Sequence, residues 1–136
     1  MYKLAISTSG EYVSAAIFDE KLLASFVSKT NRGSTGILLN QINELFDKTK
    51  ANRKDLSALY LDVGPGYYTG LRIGLSVSQG LGAVLGIPII PVNGLDALAF
   101  AAHTSHRKIC SLIDIKRSEF AYCEYMPVPG GVTRES

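Results

Sequence analysis

At 136 residues the chain has room for one domain or two very small lobes, and 46% hydrophobic with 19% charged residues is a globular composition, not a disordered one. A formal net charge of +2 is too small to argue for nucleic acid by bulk electrostatics. The longest apolar stretch, 71–92, is interrupted by Arg72, Gln79, Pro88 and four glycines, which excludes a bilayer span. Met1-Tyr2-Lys3 runs directly into Leu4-Ala5-Ile6 and then the polar Ser7-Thr8-Ser9, unlike a secretory leader, so a soluble, cytoplasmic protein is expected.

Lys3 to Ser7 reads as a strand and Glu11 to Asp19 as a second, with Val13, Ala15 and Ile17 on one face and Ser9-Gly10 as the turn. Leu22 to Ser28 is a third, so the chain opens on an antiparallel meander. The period then changes: Leu38, Ile42, Leu45 and Phe46 fall at helical spacing, with Ser34 or Thr35 as N-cap and Lys48 and Lys50 near the C-terminal end. Leu56 to Val63 is a near-continuous apolar strand, the pattern of a central strand covered on both faces.

Gly64-Pro65-Gly66 ends that strand. A second helix is expected over Thr69 to Leu85, capped by Thr69 at its start and Gly86 at its end. Ile87 to Val92 is a fifth strand, and Gly94 to His103 a third helix with Asn93 as N-cap. Lys108–Asp114 and Glu119–Tyr125 form a hairpin turning at 114–117, followed by the turn-rich Pro127-Val128-Pro129-Gly130-Gly131. The expected division is a lobe over 1–103 and an incomplete second lobe, hairpin and tail, over 104–136. Cys110 and Cys123 have no metal-ligand spacing and are expected to be free thiols.

The order βββαβαβα predicts a mixed five-stranded sheet flanked by helices. It resembles the RNase H-like lobe from which the actin, Hsp70 and sugar-kinase (ASKHA) superfamily is built. Within it, Gly70, Gly74 and Ser78 recur at spacing four and make a smooth helical stripe on which another helix could lie closely.

The segment Asp62-Val63-Gly64-Pro65-Gly66-Tyr67-Tyr68-Thr69-Gly70-Leu71-Arg72-Ile73-Gly74 resembles the GPGxxTGLRxG signature of the TsaB (YeaZ) family. Leu4–Ser9, Gly86–Leu98 and Leu112–Tyr122 resemble the family's opening strand, its fifth strand with third helix, and its second-lobe hairpin, so the likeness runs from residue 2 to about 125. It implies a non-catalytic, glycoprotease-like subunit of bacterial tRNA threonylcarbamoyladenosine synthesis. Its signature loop is Gly64, Pro65, Gly66, Thr69 and Gly70. Its partners would be the catalytic paralogue TsaD and the ATPase TsaE, with tRNA reached indirectly and a homodimer formed in isolation. ATP and a metal are expected on TsaD and no cofactor on this chain.

The docking residues implied are Leu38 and Ile42 on the first helix and Gly70, Arg72, Ile73, Gly74, Val77, Ser78 and Leu81 on the second. The His-x-x-x-His metal pair of TsaD corresponds to Gly94 and Leu98 here, while His103 and His106 fall later at the wrong spacing. Ser7 stands where superfamily kinases carry an acid at the end of the first strand. Two departures stand out: Ser34-Thr35 occupies the place of the family's His-Ser pair, and the second lobe is barely begun, leaving Ile109, Leu112, Ile113 and Phe120 short of cover. The competing reading is a nucleotide-binding phosphotransferase or glycoprotease-like hydrolase on the same superfold, which rests on fold analogy alone.

Overall fold

The computed structural model describes residues 1–29, 34–103 and 106–135, and of Ser34 and Thr35 the backbone only. The elements are β1 (Tyr2–Ser7), β2 (Tyr12–Phe18), β3 (Leu22–Lys29), α1 (Ser34–Thr49), a 3-10 turn (Arg53–Asp55), β4 (Leu56–Asp62) and α2 (Tyr68–Leu85). They continue with β5 (Ile89–Val92), α3 (Gly94–Ala101), β6 (Ile109–Asp114), β7 (Phe120–Val128) and β8 (Gly131–Arg134).

The first five strands form one mixed sheet in the order β3-β2-β1-β4-β5. The meander is antiparallel and the β1–β4 and β4–β5 pairs are parallel, as two helical crossovers require. The period-2 pattern sets which face is covered. Leu4 and Ile6 of β1, Val13, Ala15 and Ile17 of β2, and Leu59 and Leu61 of β4 are buried in one core with Leu38, Ile42, Leu45 and Phe46 of α1 and Val77 of α2. Both helices therefore lie on the same face of the sheet.

Four sequence expectations change. β4 is an inner strand, but its cover is complete only on the helical face; on the reverse face Tyr60 and Asp62 border an open concavity of about 330 Å³. Thr69 does not cap α2: the N-cap is Tyr67, with no side-chain hydrogen bond, and Thr69 is already inside the helix. The tail after residue 128 is the strand β8, paired with β7 across a turn at Gly130, whose φ is +81°. Ile109 and Ile113 are not left bare, since they pack against the small core formed by Leu95 and Ala99 of α3 with Cys123 and Tyr125 of β7.

The caps read at the other helix ends hold. Gly86 closes α2 in the left-handed conformation at φ 66°, and the Asn93 side chain accepts hydrogen bonds from the Leu95 and Asp96 amides. The N-cap expected of Ser34 or Thr35 lies outside the described side chains. Cys110 is exposed and Cys123 buried; they face opposite sides of the β6–β7 pair, opposite Glu124 and Ser111, and are not joined in a disulfide.

Candidate functional site

β4 delivers Asp62 to the C-terminal edge of the sheet, beside the end of β1. Its Oδ2 accepts hydrogen bonds from Ser7 Oγ at 2.8 Å and Ser9 Oγ at 2.5 Å, and its Oδ1 accepts one from the Gly64 amide at 2.9 Å. One carboxylate thus joins the β1–β2 turn to the loop that leaves β4. Gly64 sits at φ +95°, a conformation that favours glycine, and the Gly64–Pro65 peptide is cis. The Gly64 carbonyl accepts from the Gly94 amide at 2.9 Å, which ties the start of α3 to the same loop.

The glycines of the signature lie against this turn. A Cβ at Gly66 would overlap the Ser9 carbonyl, one at Gly70 the Thr8 carbonyl, and one at Gly74 the Thr8 hydroxyl. Thr8 Oγ1 donates to the Gly70 carbonyl at 2.6 Å and the Tyr67 amide to the Ser9 carbonyl at 2.7 Å. The first turns of α2 therefore ride directly on Thr8 and Ser9, which only glycine permits.

This geometry reverses the direction expected of the stripe. Gly70, Gly74 and Ser78 face into the lobe; Gly74 and Ser78 are buried, and Ser78 Oγ has no hydrogen-bond partner. Leu38, Ile42 and Val77 are buried in the first core, and Ile73 and Leu81 pack against it. Gly70, Gly74, Ser78, Leu38, Ile42 and Val77 are consequently interior residues and not a free docking surface. Of the residues expected there, Arg72 stands fully on the solvent side, its guanidinium 5.4 Å from the centre of the Tyr68 ring. The outward face instead carries Tyr68 and Leu75, both exposed, and a groove of about 320 Å³ is bounded by Tyr68, Thr69, Arg72, Ile73, Ser76 and Val77.

Ser7 is engaged with Asp62, Gly94 has no side chain, and Leu98 is an exposed apolar residue. His103 is exposed, stacks on Phe100 at 6.4 Å and lies 3.4 Å from the Val128 carbonyl; His106 is exposed. Among the described residues no three His, Cys, Asp or Glu side chains come together as a metal site. Asp62 and Thr8 are the residues that sequence reasoning passed over. The signal for Asp62 was an acid ending an otherwise apolar strand immediately before Gly-Pro-Gly.

Comparison with known proteins places this geometry. Residues 23–132 match the family model described as "TsaD: tRNA N6-adenosine threonylcarbamoyltransferase". The chain is 30% identical over 125 residues to the tRNA threonylcarbamoyladenosine biosynthesis protein TsaB of Buchnera aphidicola (subspecies Schizaphis graminum), covering 90% of this chain and 60% of that protein. It is 28% identical to the TsaB of Escherichia coli K12, covering 95% and 57%. It superposes on the solved structure of YeaZ from Pseudomonas aeruginosa with a TM-score of 0.89 at 28% identity, covering 99% of this chain and 64% of that one. The chain thus spans little more than half the length of the TsaB relatives it matches. The chain belongs to the family of tRNA N6-adenosine threonylcarbamoyltransferase TsaD and, within that family, to its TsaB (YeaZ) branch.

Proposed function

We propose that the chain serves bacterial tRNA threonylcarbamoyladenosine synthesis as a non-catalytic subunit that docks on TsaD, with ATP and metal held by that partner, TsaE joining the assembly, and tRNA bound to the complex. The observation that carries this reading is the outward face of α2. Tyr68 and Leu75 are large side chains left in water on one face of a helix whose other face is buried against its own lobe. Covering them with a partner helix would contribute at about 25 cal/mol per Å² of apolar surface. The donor set supports the same reading: Ser7, Gly94 and Leu98 supply neither a nucleophile–base pair nor a ligand cluster.

The revised interface is Tyr68, Arg72, Leu75, Ser76 and Gln79, with Ile73 and Leu81 beneath them. The test is capture of TsaD by Leu75→Arg. The variant is expected to keep the far-UV dichroism and melting of the parent chain and to lose TsaD. A folded Leu75→Arg that binds TsaD with unchanged affinity places the docking surface elsewhere. The purified chain alone is expected to hydrolyse no ATP; turnover abolished by a substitution in this chain would favour the phosphotransferase or hydrolase reading.

A further inference from the structure

The start of α2 and the β6–β7 turn face each other across a concavity of about 750 Å³, whose lining includes Tyr67, Tyr68, Lys116, Arg117 and Glu119. Among the described residues none of the three cations at this place, Arg72, Lys116 and Arg117, forms an ion pair. Two of them lie on aromatic rings instead: the Lys116 ammonium 4.8 Å from the centre of Tyr67 and the Arg72 guanidinium 5.4 Å from that of Tyr68. Lys116, Arg117 and Ser118 are all at positive φ, 52°, 76° and 59°, so three consecutive side-chain-bearing residues hold a conformation that L residues avoid. The turn places two cations at the rim of a cleft whose other wall is tyrosine.

Cations interleaved with exposed aromatic rings along one cleft are the chemistry that takes phosphates and stacked bases together. We infer that this cleft binds a single-stranded segment of RNA, phosphates at Lys116 and Arg117 and a base against Tyr68. The choice of RNA rests on the tRNA reading above. The cleft shares Tyr68 with the docking groove, so a strand held there passes beside the surface assigned to the catalytic partner. A free ribonucleotide offers the same chemistry in smaller form, and a single glutamate, Glu119, is the opposing charge in the lining.

The experiment is fluorescence anisotropy with a labelled, unstructured RNA of about 12 nucleotides, titrated with the purified chain over roughly 50 to 200 mM salt. The expected result is salt-dependent binding. It should weaken about tenfold or more in Lys116→Glu/Arg117→Glu, with the log–log salt slope reduced by about 1.4, the share of two phosphate contacts on a single strand. Tyr68→Ala should weaken it about tenfold while Tyr68→Phe retains it. Dichroism and melting establish that each variant is folded, and Arg117→Gln, which leaves the turn otherwise intact, is expected to lie between the parent and the double variant. RNA binding absent at low salt, or unchanged in the folded double variant, overturns the inference. Displacement of the RNA by ATP at comparable concentration overturns it too, because the cleft then holds a free nucleotide. Leu75→Arg reports on TsaD docking separately: it removes no RNA contact and should not weaken RNA binding, so either reading can fail without the other.

Discussion

Thr8 sits in a turn and yet is 2% exposed, because Gly70 and Gly74 lie against it. A single methyl at either position has nowhere to go: the neighbour at Gly70 is backbone, and at Gly74 the methyl meets both the Thr8 hydroxyl and Leu61 Cδ1 at 3.3 Å. Overpacking of this kind costs about 1–3 kcal/mol. Gly70→Ala is therefore expected to lower the unfolding free energy by that amount, read as a lower denaturation midpoint at an unchanged slope, whereas Gly80→Ala, on the open side with nothing near, should be neutral or stabilising. Equal behaviour of the two variants would refute the close approach. Asp62→Ala should also destabilise, since it leaves two hydroxyls and the Gly64 amide without their acceptor. The stripe of small residues was legible in the sequence, but its direction was not. Periodicity tells which residues share a face; it does not tell whether that face meets its own lobe or another protein. The identity of Thr8, 62 residues away in the chain from Gly70 on α2, is what decides it.

At the scale of elements, most of the chain was readable because its helices and strands carry strong periodicity and recognisable ends. β8 escaped because it is four residues long and follows Pro129-Gly130, which reads as the end of order and not as the middle of a second hairpin. Its contribution is a clasp. Tyr125 Oη donates to Asp96 Oδ1 at 2.6 Å and Arg134 Nε to the same oxygen at 2.7 Å, so α3, β7 and β8 meet at one carboxylate. The hydrogen bond from Arg134, and then that from Tyr125, holds the Asp96 carboxyl below its usual range despite some desolvation. Burial, followed by the bond to Asp96, pushes the Tyr125 phenol upward. The signs differ. Asp96 is lowered in the folded state, so its contribution is present above its ordinary value of 3.8 and lost as pH falls through the folded one. Tyr125 is raised, so its contribution is present below 10.0 and lost as pH rises beyond it. Asp96→Asn should flatten the acid limb of a melting-temperature profile below about pH 4. In an alkaline absorbance titration the Tyr125 phenol should ionise above the ordinary tyrosine range, a late step that is absent in Tyr125→Phe. A Tyr125→Phe titration identical to that of the parent would refute the clasp.

On the scale of the whole molecule, the two sheets each use one face. The five-stranded sheet is closed by α1 and α2, the three-stranded one by α3, and alternation leaves Leu112, Phe120 and Tyr122 together on the outer face of β6 and β7. Leu112 pairs directly with Tyr122 across the strands and Phe120 is the next residue on that face, at 58%, 65% and 59% exposure, so the three form a continuous apolar surface and not scattered residues. The sequence singled out Leu112 and Phe120 as short of cover, and wrongly grouped Ile109 and Ile113 with them; strand alternation separates the two pairs, since one set points at α3 and the other away from it. A surface of this kind favours association through desolvation. If the isolated chain self-associates, it is expected to do so here rather than through α2. Leu112→Lys/Tyr122→Lys, which keeps the strand register and the inner face intact, should then shift sedimentation velocity profiles towards monomer at all concentrations, while Leu75→Arg should leave them unchanged. The opposite pattern, dissociation by Leu75→Arg with the lysine pair still associated, would move the self-association surface onto α2, where it would compete with TsaD for the same residues. The two outcomes also separate in a mixture: association through the outer sheet face should persist when TsaD is added in excess, whereas association through α2 should be displaced by it.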